Sequence, residues 1–140
     1  MIQMPETPTP IRDLRREDGR ESVLMVEDNA EVRTMGATLL EEAGFEVHQA
    51  GDADEALALV AEGLSFDLLF TDIVMPGAMD GVALAAEVRR LRPGTPVLLT
   101  TGWGDRSDDR GGLELIGKPY RSPDLMRKIR AVLDEPQPPI

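Results

Sequence analysis

The sequence predicts an α/β domain built on a five-stranded parallel sheet, and three observations carry that prediction. Short apolar runs alternate with amphipathic stretches of helical period, the pattern of successive βα units. Helix-starting caps and helix-ending glycines fall between the runs. Four runs lead into residues able to do chemistry. Val23-Leu24-Met25-Val26 leads into Glu27-Asp28, and Phe66-Asp67-Leu68-Leu69-Phe70-Thr71 into Asp72. Val97-Leu98-Leu99 leads into Thr100-Thr101, and Leu113 to Ile116 into Lys118-Pro119. Open α/β sheets present their reactive groups at the carboxyl ends of the strands. Acids, hydroxyl and lysine can therefore meet at one edge, an arrangement that suits magnesium-assisted phosphoryl transfer.

Taken in order, residues 1-20 hold Pro5, Pro8 and Pro10 among mixed charges and no apolar core. They are read as a disordered leader or linker and not as a signal peptide. The first strand is Val23–Val26. Glu31–Glu42 follows, with Val32, Met35, Leu39 and Ala43 as a helical stripe that Gly44 terminates. Phe45–Gln49 alternates as the second strand. Asp52–Glu62 is a helix with Ala56, Leu57, Leu59 and Val60 inward, and acids Asp52, Asp54 and Glu55 at its electropositive start. The third strand runs into Asp72. Gly81–Leu91 is the third helix, with Val82, Leu84, Ala85 and Val88 buried, and Pro96–Thr100 is the fourth strand.

Gly102 to Gly112 breaks the rhythm: four glycines and three aspartates leave too little apolar surface for a full helix. Leu113–Ile116 is the fifth strand. Ser122-Pro123-Asp124 then starts the last helix, with a capping serine, a first-turn proline and an apolar face of Leu125, Ile129, Val132 and Leu133. The folded unit is 21-134, and residues 135-140 are read as a disordered tail.

The bulk numbers bound the function. At 140 residues the chain makes one domain with a single core, and 41% hydrophobic with 29% charged residues is ordinary for a globular protein. A net charge of -11 disfavours non-specific binding to nucleic acid or an anionic membrane, and suits a cation or a basic partner. The absence of cysteine excludes disulfides and thiolate metal sites and fits a reducing cytoplasm, the expected location. No apolar run approaches the roughly 20 residues of a membrane helix.

The acidic pair Glu27-Asp28, Asp72 with Met75-Pro76 and Gly81 after it, Thr101, and Lys118-Pro119 stand at four strand ends in this order. Together they resemble the receiver domain of two-component response regulators and hybrid histidine kinases, over about residues 22-134. The resemblance implies a flavodoxin-like (βα)5 doubly wound fold with strand order 2-1-3-4-5 and the site at the carboxyl edge. It implies that Asp72 is the phosphoacceptor, charged by the phosphohistidine of a histidine kinase or histidine phosphotransfer protein. Magnesium is the implied cofactor: a divalent cation cancels the repulsion between a carboxylate and the incoming phosphoryl oxygens, and prefers hard oxygen ligands. Asp28 and Asp72 would bind it directly, Glu27 through water, and the Val74 backbone carbonyl would complete the protein's share. Lys118 would neutralise a phosphoryl oxygen, and the Thr101 hydroxyl would bond another. Pro119 is expected to follow a cis bond that aims Lys118 inward. The domain is expected to signal and not to act as an enzyme, beyond promoting its own phosphorylation and slow dephosphorylation.

Several positions depart from the family pattern. Glu27 stands where aspartate is also common, and its longer side chain still reaches a metal-bound water. The loop from Pro76 to Gly81 has one residue more than usual, which should reshape the rim beside Asp72. Leu115 occupies the position of a switch aromatic, so no ring there can couple to Thr101. The stretch from Thr101 to Lys118 is about five residues shorter than usual, consistent with a short or absent fourth helix. Dimeric DNA-binding regulators pair through that region, so a monomer without direct nucleic-acid or membrane contact is expected. No DNA-binding output domain is expected after residue 134, where a proline-rich tail follows. Thr101-Gly102-Trp103 resembles the Thr-Gly-aromatic motif of a receiver subgroup, and Trp103 either packs or gates access to the phosphoaspartate. Alternation admits only one of Thr100 and Thr101 to the site, and the family spacing selects Thr101.

Plainer readings compete with these. Alone, Asp72 is a strand-end turn cap, and Glu27-Asp28-Asn29 is a helix N-cap region. Gly112 to Lys118 matches most of a phosphate-binding loop, but Pro119 replaces the hydroxyl residue that would hold magnesium. His48, the single histidine, is expected at the surface or boundary. Met25, Met35, Met75 and Met126 are expected as core or rim fillers. A haloacid-dehalogenase-like phosphatase would share the aspartyl nucleophile, threonine, lysine and magnesium, but needs a second aspartate where Val74 stands. A pseudo-receiver acting only as an interaction module is the other alternative.

Overall fold

The computed structural model describes residues 21–102 and 113–134. Five parallel strands form one sheet: β1 (Ser22–Val26), β2 (Glu46–Ala50), β3 (Leu68–Asp72), β4 (Val97–Thr101) and β5 (Glu114–Gly117), in the order β2-β1-β3-β4-β5. Four helices are present among the described residues: α1 (Ala30–Glu42), α2 (Ala53–Ala61), α3 (Gly81–Leu91) and α4 (Ser122–Asp134). The strand order is the 2-1-3-4-5 of the flavodoxin-like class. The expectation of a shortened helix between β4 and β5 falls on 103–112, and those of a leader and tail on 1–20 and 135–140. All three lie outside the described residues.

Covering both faces makes the central strands mostly apolar: β1, β3 and β4 are buried at every position, with polar residues only at Ser22 and at the carboxyl ends of β3 and β4. Successive side chains point to opposite faces, so each strand feeds two cores. Leu24, Val26, Leu69, Val97 and Leu99 pack against Ala53, Ala56 and Val60 of α2 and Leu84, Ala85 and Val88 of α3. Val23, Met25, Leu68, Phe70 and Leu98 pack against Ala37 and Leu40 of α1 and Leu125, Ile129 and Val132 of α4. β2 forms one edge and alternates less cleanly, with His48 half-buried as expected.

Three helix starts are capped by the residue type the sequence offers. Asn29 accepts from Val32 N at 3.0 Å, Asp52 from Glu55 N at 2.8 Å and Asp80 from Ala83 N at 2.8 Å. The turn that closes α1 passes through Gly44, whose φ of 102° lets Gly44 N reach Glu41 O and Phe45 N reach Leu40 O.

Two helix expectations need correction. On α1 the inward residues are Gly36, Ala37 and Leu40, while Met35 is 59% exposed and Ala43 lies at the surface. The helix approaches the sheet through small residues, which a search for large apolar side chains passes over. Ser122 is the first residue of α4 and not its cap: the Arg121 carbonyl already accepts the Leu125 N–H at 2.9 Å. The fifth strand is also shifted by one residue, to Glu114–Gly117.

Candidate metal and phosphoacceptor site

The strand order reverses beside β1: the chain passes from β1 outward to β2, then returns to β3 on the other side. A crevice opens at such a switch point, above the carboxyl ends of β1 and β3. Glu27 and Asp28 follow β1 and Asp72 ends β3, so the two acidic motifs, about 45 residues apart in sequence, meet there. Single carboxylate oxygens of Glu27, Asp28 and Asp72 lie within 4.8 Å of one another.

Burial differs sharply within the cluster. Glu27 is 1% and Asp72 4% exposed, while Asp28 is open to solvent. Lys118, just past β5, reaches over β4 into the crevice and donates to Glu27 Oε1 at 2.9 Å and Asp72 Oδ2 at 3.0 Å. Its place is set by backbone, since Lys118 N donates to the Thr101 carbonyl at 2.8 Å. Glu27 Oε2 accepts from Asn29 N at 3.1 Å, so the residue after the pair orients it.

Charge and burial work against each other here. Burial pushes the Asp72 carboxyl up to about 6, the neighbouring charges of Glu27 and Asp28 push the same way, and the Lys118 ammonium pulls it down. Burial by itself would lower Lys118, but its bonds to Glu27 and Asp72 outweigh that and hold it above the ordinary lysine range. Three carboxylates facing one ammonium leave the crevice short of positive charge. Hard oxygen donors clustered at this spacing fit a small divalent cation.

The other candidate residues are distributed around this centre. Thr101 is buried at the end of β4, its hydroxyl 3.5 Å from the Gly102 carbonyl. Thr100 pairs in register with Asp72 and keeps a buried hydroxyl without a hydrogen-bond partner among the described residues. Val74 lies on the loop beyond Asp72, 61% exposed. Leu115 is partly buried against the core that α2 and α3 share. Pro119 follows Lys118 through a cis peptide bond, as expected. Trp103 lies outside the described residues. The loop from Pro76 forms an irregular rim, with a cavity of about 310 Å³ between Pro76–Met79 and the start of α2.

Two residues of the site escaped sequence reasoning. Arg33 of α1 donates through Nη1 to the Glu27 carbonyl at 2.6 Å, one turn beyond the cap, where helix geometry alone would have pointed it back at the acidic pair. Tyr120 lies just past Pro119, its ring 5.6 Å from that of Phe70. Burial, then the charge of Glu27, pushes its phenol up to about 12. Its adjacency to Lys118-Pro119 was the signal available.

Comparison with known proteins agrees with this geometry. Residues 23–130 match the family model described as the response regulator receiver domain. The transcriptional regulatory protein CpxR of Klebsiella pneumoniae is 36% identical over 116 residues, covering 79% of this chain and 48% of that protein. Among solved structures, chemotaxis protein CheY4 of Vibrio cholerae superposes with a TM-score of 0.71 at 30% identity, covering 81% of this chain and 99% of that one. The receiver domain of the hybrid histidine kinase CckA superposes with a TM-score of 0.69 at 32% identity, over 81% and 99%. The chain spans about half the length, or less, of the curated relatives it matches. Strand order, acidic crevice and family match agree, and the chain belongs to the response regulator receiver domain family of two-component signalling systems.

Proposed function

We propose that Asp72 is the phosphoacceptor of a two-component phosphorelay, charged by the phosphohistidine of a histidine kinase or histidine phosphotransfer protein. The observation that carries this reading is the buried Asp72 carboxylate, bonded to Lys118 at 3.0 Å, with two further acids beside it at the open carboxyl edge of the sheet. An Asp72 oxygen attacks phosphorus, the phosphorus–nitrogen bond breaks, and the imidazole leaves with the electron pair. Water later attacks the acyl phosphate, releasing inorganic phosphate and restoring the carboxylate.

Asp28 and Asp72 would hold Mg²⁺ directly, Glu27 through water, and the Val74 carbonyl would complete the set. The ion supplies the positive charge that lets a carboxylate approach the phosphoryl oxygens. Lys118 moves its ammonium from Asp72 toward a phosphoryl oxygen, and the Thr101 hydroxyl turns from Gly102 to bond another. Arg33 and Asn29 keep Glu27 in place while Lys118 shifts. The state reached differs from the unloaded one in the positions of Thr101 and Lys118, which biases a conformational equilibrium that a partner reads. A cytoplasmic setting and a monomeric unit that touches neither nucleic acid nor membrane are part of the proposal, with the chain acting alone or as the receiver segment of a hybrid kinase.

Intact mass after incubation with acetyl phosphate and Mg²⁺ tests the assignment. One added phosphoryl group is expected on the parent, and none on Asp72→Asn or when the metal is chelated. Equal labelling of Asp72→Asn and the parent would sink the assignment, as would turnover of small phosphate esters.

A further inference from the structure

Tyr120 joins two features that the reaction at Asp72 does not itself use. The first is its hydroxyl, which is buried with no hydrogen-bond partner among the described residues. A buried, unpaired hydroxyl carries a desolvation cost, so this inward pose is held by packing and not by polar bonding. The second is a groove of about 570 Å³ on the outside of the same residue, lined by Val32, Met35 and Leu39 of α1 and by Pro119, Tyr120 and Arg121.

The inward pose depends on a glycine in the middle of α1. A Cβ at Gly36 would come to 2.5 Å from the Tyr120 hydroxyl and would overlap the Met25 methyl. Glycine is a poor helix former, and Gly36 faces the interior where any side chain would claim this space. The seat beneath α1 thus exists because residue 36 has no side chain. Its walls reach the site: Met25 lies two residues before Glu27 on β1, and Phe70, against which the ring tilts, lies two residues before Asp72 on β3.

We propose that Tyr120 couples Lys118 to the groove beside α1 by moving between two seats, the inner one beneath Gly36 and an outer one in the groove. Only Pro119 separates Tyr120 from Lys118, and its ring fixes φ, so the segment has little slack to absorb a shift of the lysine. In the unloaded site Lys118 is tied to Glu27 and Asp72 together. Drawing its ammonium toward a phosphoryl group pulls the segment, and the outer seat offers the phenol water for its unpaired hydroxyl. The groove is ample for a phenol ring, so the outward move alters the surface that α1 and the start of α4 present. This inference rests on the phosphoacceptor reading of Asp72.

Tyr120 is the single tyrosine of the chain, so biosynthetic 3-fluorotyrosine reports on it alone. The full chain is followed by ¹⁹F NMR with and without Mg²⁺ and beryllofluoride, and loading is scored independently by the fluorescence of the single tryptophan and by acetyl phosphate labelling. Loading should shift the resonance in the parent and leave Asp72→Asn unchanged. Gly36→Ala fills the inner seat. Its close contacts are side-chain ends, so the ring should yield before the helix does, and the unloaded variant should resonate at the loaded parent's position. A loaded parent whose resonance stays fixed overturns the coupling while leaving the phosphoacceptor intact. A folded Gly36→Ala protein that keeps the unloaded resonance also overturns it. If that variant does not fold, the parent's response to loading decides alone. Failure of both labelling and beryllofluoride binding overturns the phosphoacceptor reading, and the coupling with it.

Discussion

At the scale of single residues, the site is a balance between burial and charge. Asp72 titrates near 6 when folded, against an ordinary value of 3.8. Its folded pKa is the higher one, so its contribution to stability is fully present below about pH 4 and is lost as pH rises through about 6. The shift corresponds to about 3 kcal/mol. In chelator, the urea midpoint of the parent should therefore fall between pH 4 and 7. Asp72→Asn should flatten that fall and gain about 1–2 kcal/mol at pH 7, less than the full shift because the Lys118 bond weakens. Lys118→Ala should still accept a phosphoryl group but lose the conformational response, read as an unchanged tryptophan signal on labelling. Thr101→Ala should reduce that response more than it reduces labelling. The principal candidates were legible in the sequence because each ends a strand. Arg33 and Tyr120 were not, since one lies inside a helix and the other follows a motif that drew attention to itself.

At the scale of elements, caps and close approaches place the site's walls. Asn29 caps α1 and also orients Glu27, so Asn29→Ala should cost about 1 kcal/mol of stability and weaken metal binding as well. Asp52→Ala, at the cap of α2 and outside the three-acid cluster, should cost a similar amount and leave metal affinity unchanged. Chemical denaturation with and without Mg²⁺ separates the two effects. α3 starts hard against the end of β3: Gly81 N donates to Ile73 O at 2.7 Å, and a Cβ there would lie 2.8 Å from the Asp72 carbonyl carbon and 2.9 Å from the Ile73 Cα. These neighbours are backbone and cannot rotate away. Gly81→Ala should destabilise the fold by about 3 kcal/mol or displace the phosphoacceptor loop, seen as a lower urea midpoint with reduced labelling. Strands and helices were predicted to within a residue or two, because apolar period and turn residues are local signals. The inward face of α1 was misjudged, because Gly36 and Ala37 carry no apolar weight in a periodicity search.

At the scale of the molecule, two cores hold one sheet edge rigid while the charge collects above it. The chain carries a net charge of -11, and among the described residues three carboxylates cluster where the strand order reverses. Mg²⁺ should raise the melting temperature saturably, because it binds the folded crevice and not the unfolded chain. Asp28→Asn should shift that titration to higher concentration. An equal rise from sodium chloride of matched ionic strength would mean screening of the net charge instead of a site.

The sequence by itself determined the fold class, the number and order of the strands' reactive ends, and the identity of the acids and the lysine. Those follow from periodicity and from chemistry confined to short segments. Tertiary structure decided the rest. It brought Glu27 and Asp72 together across the switch point, turned Lys118 onto both, and raised Asp72 by burying it. It also seated Tyr120 beneath a glycine more than eighty residues away. The physical reason is that burial, pKa and fit depend on which elements pack against each other, a long-range property that no local pattern records.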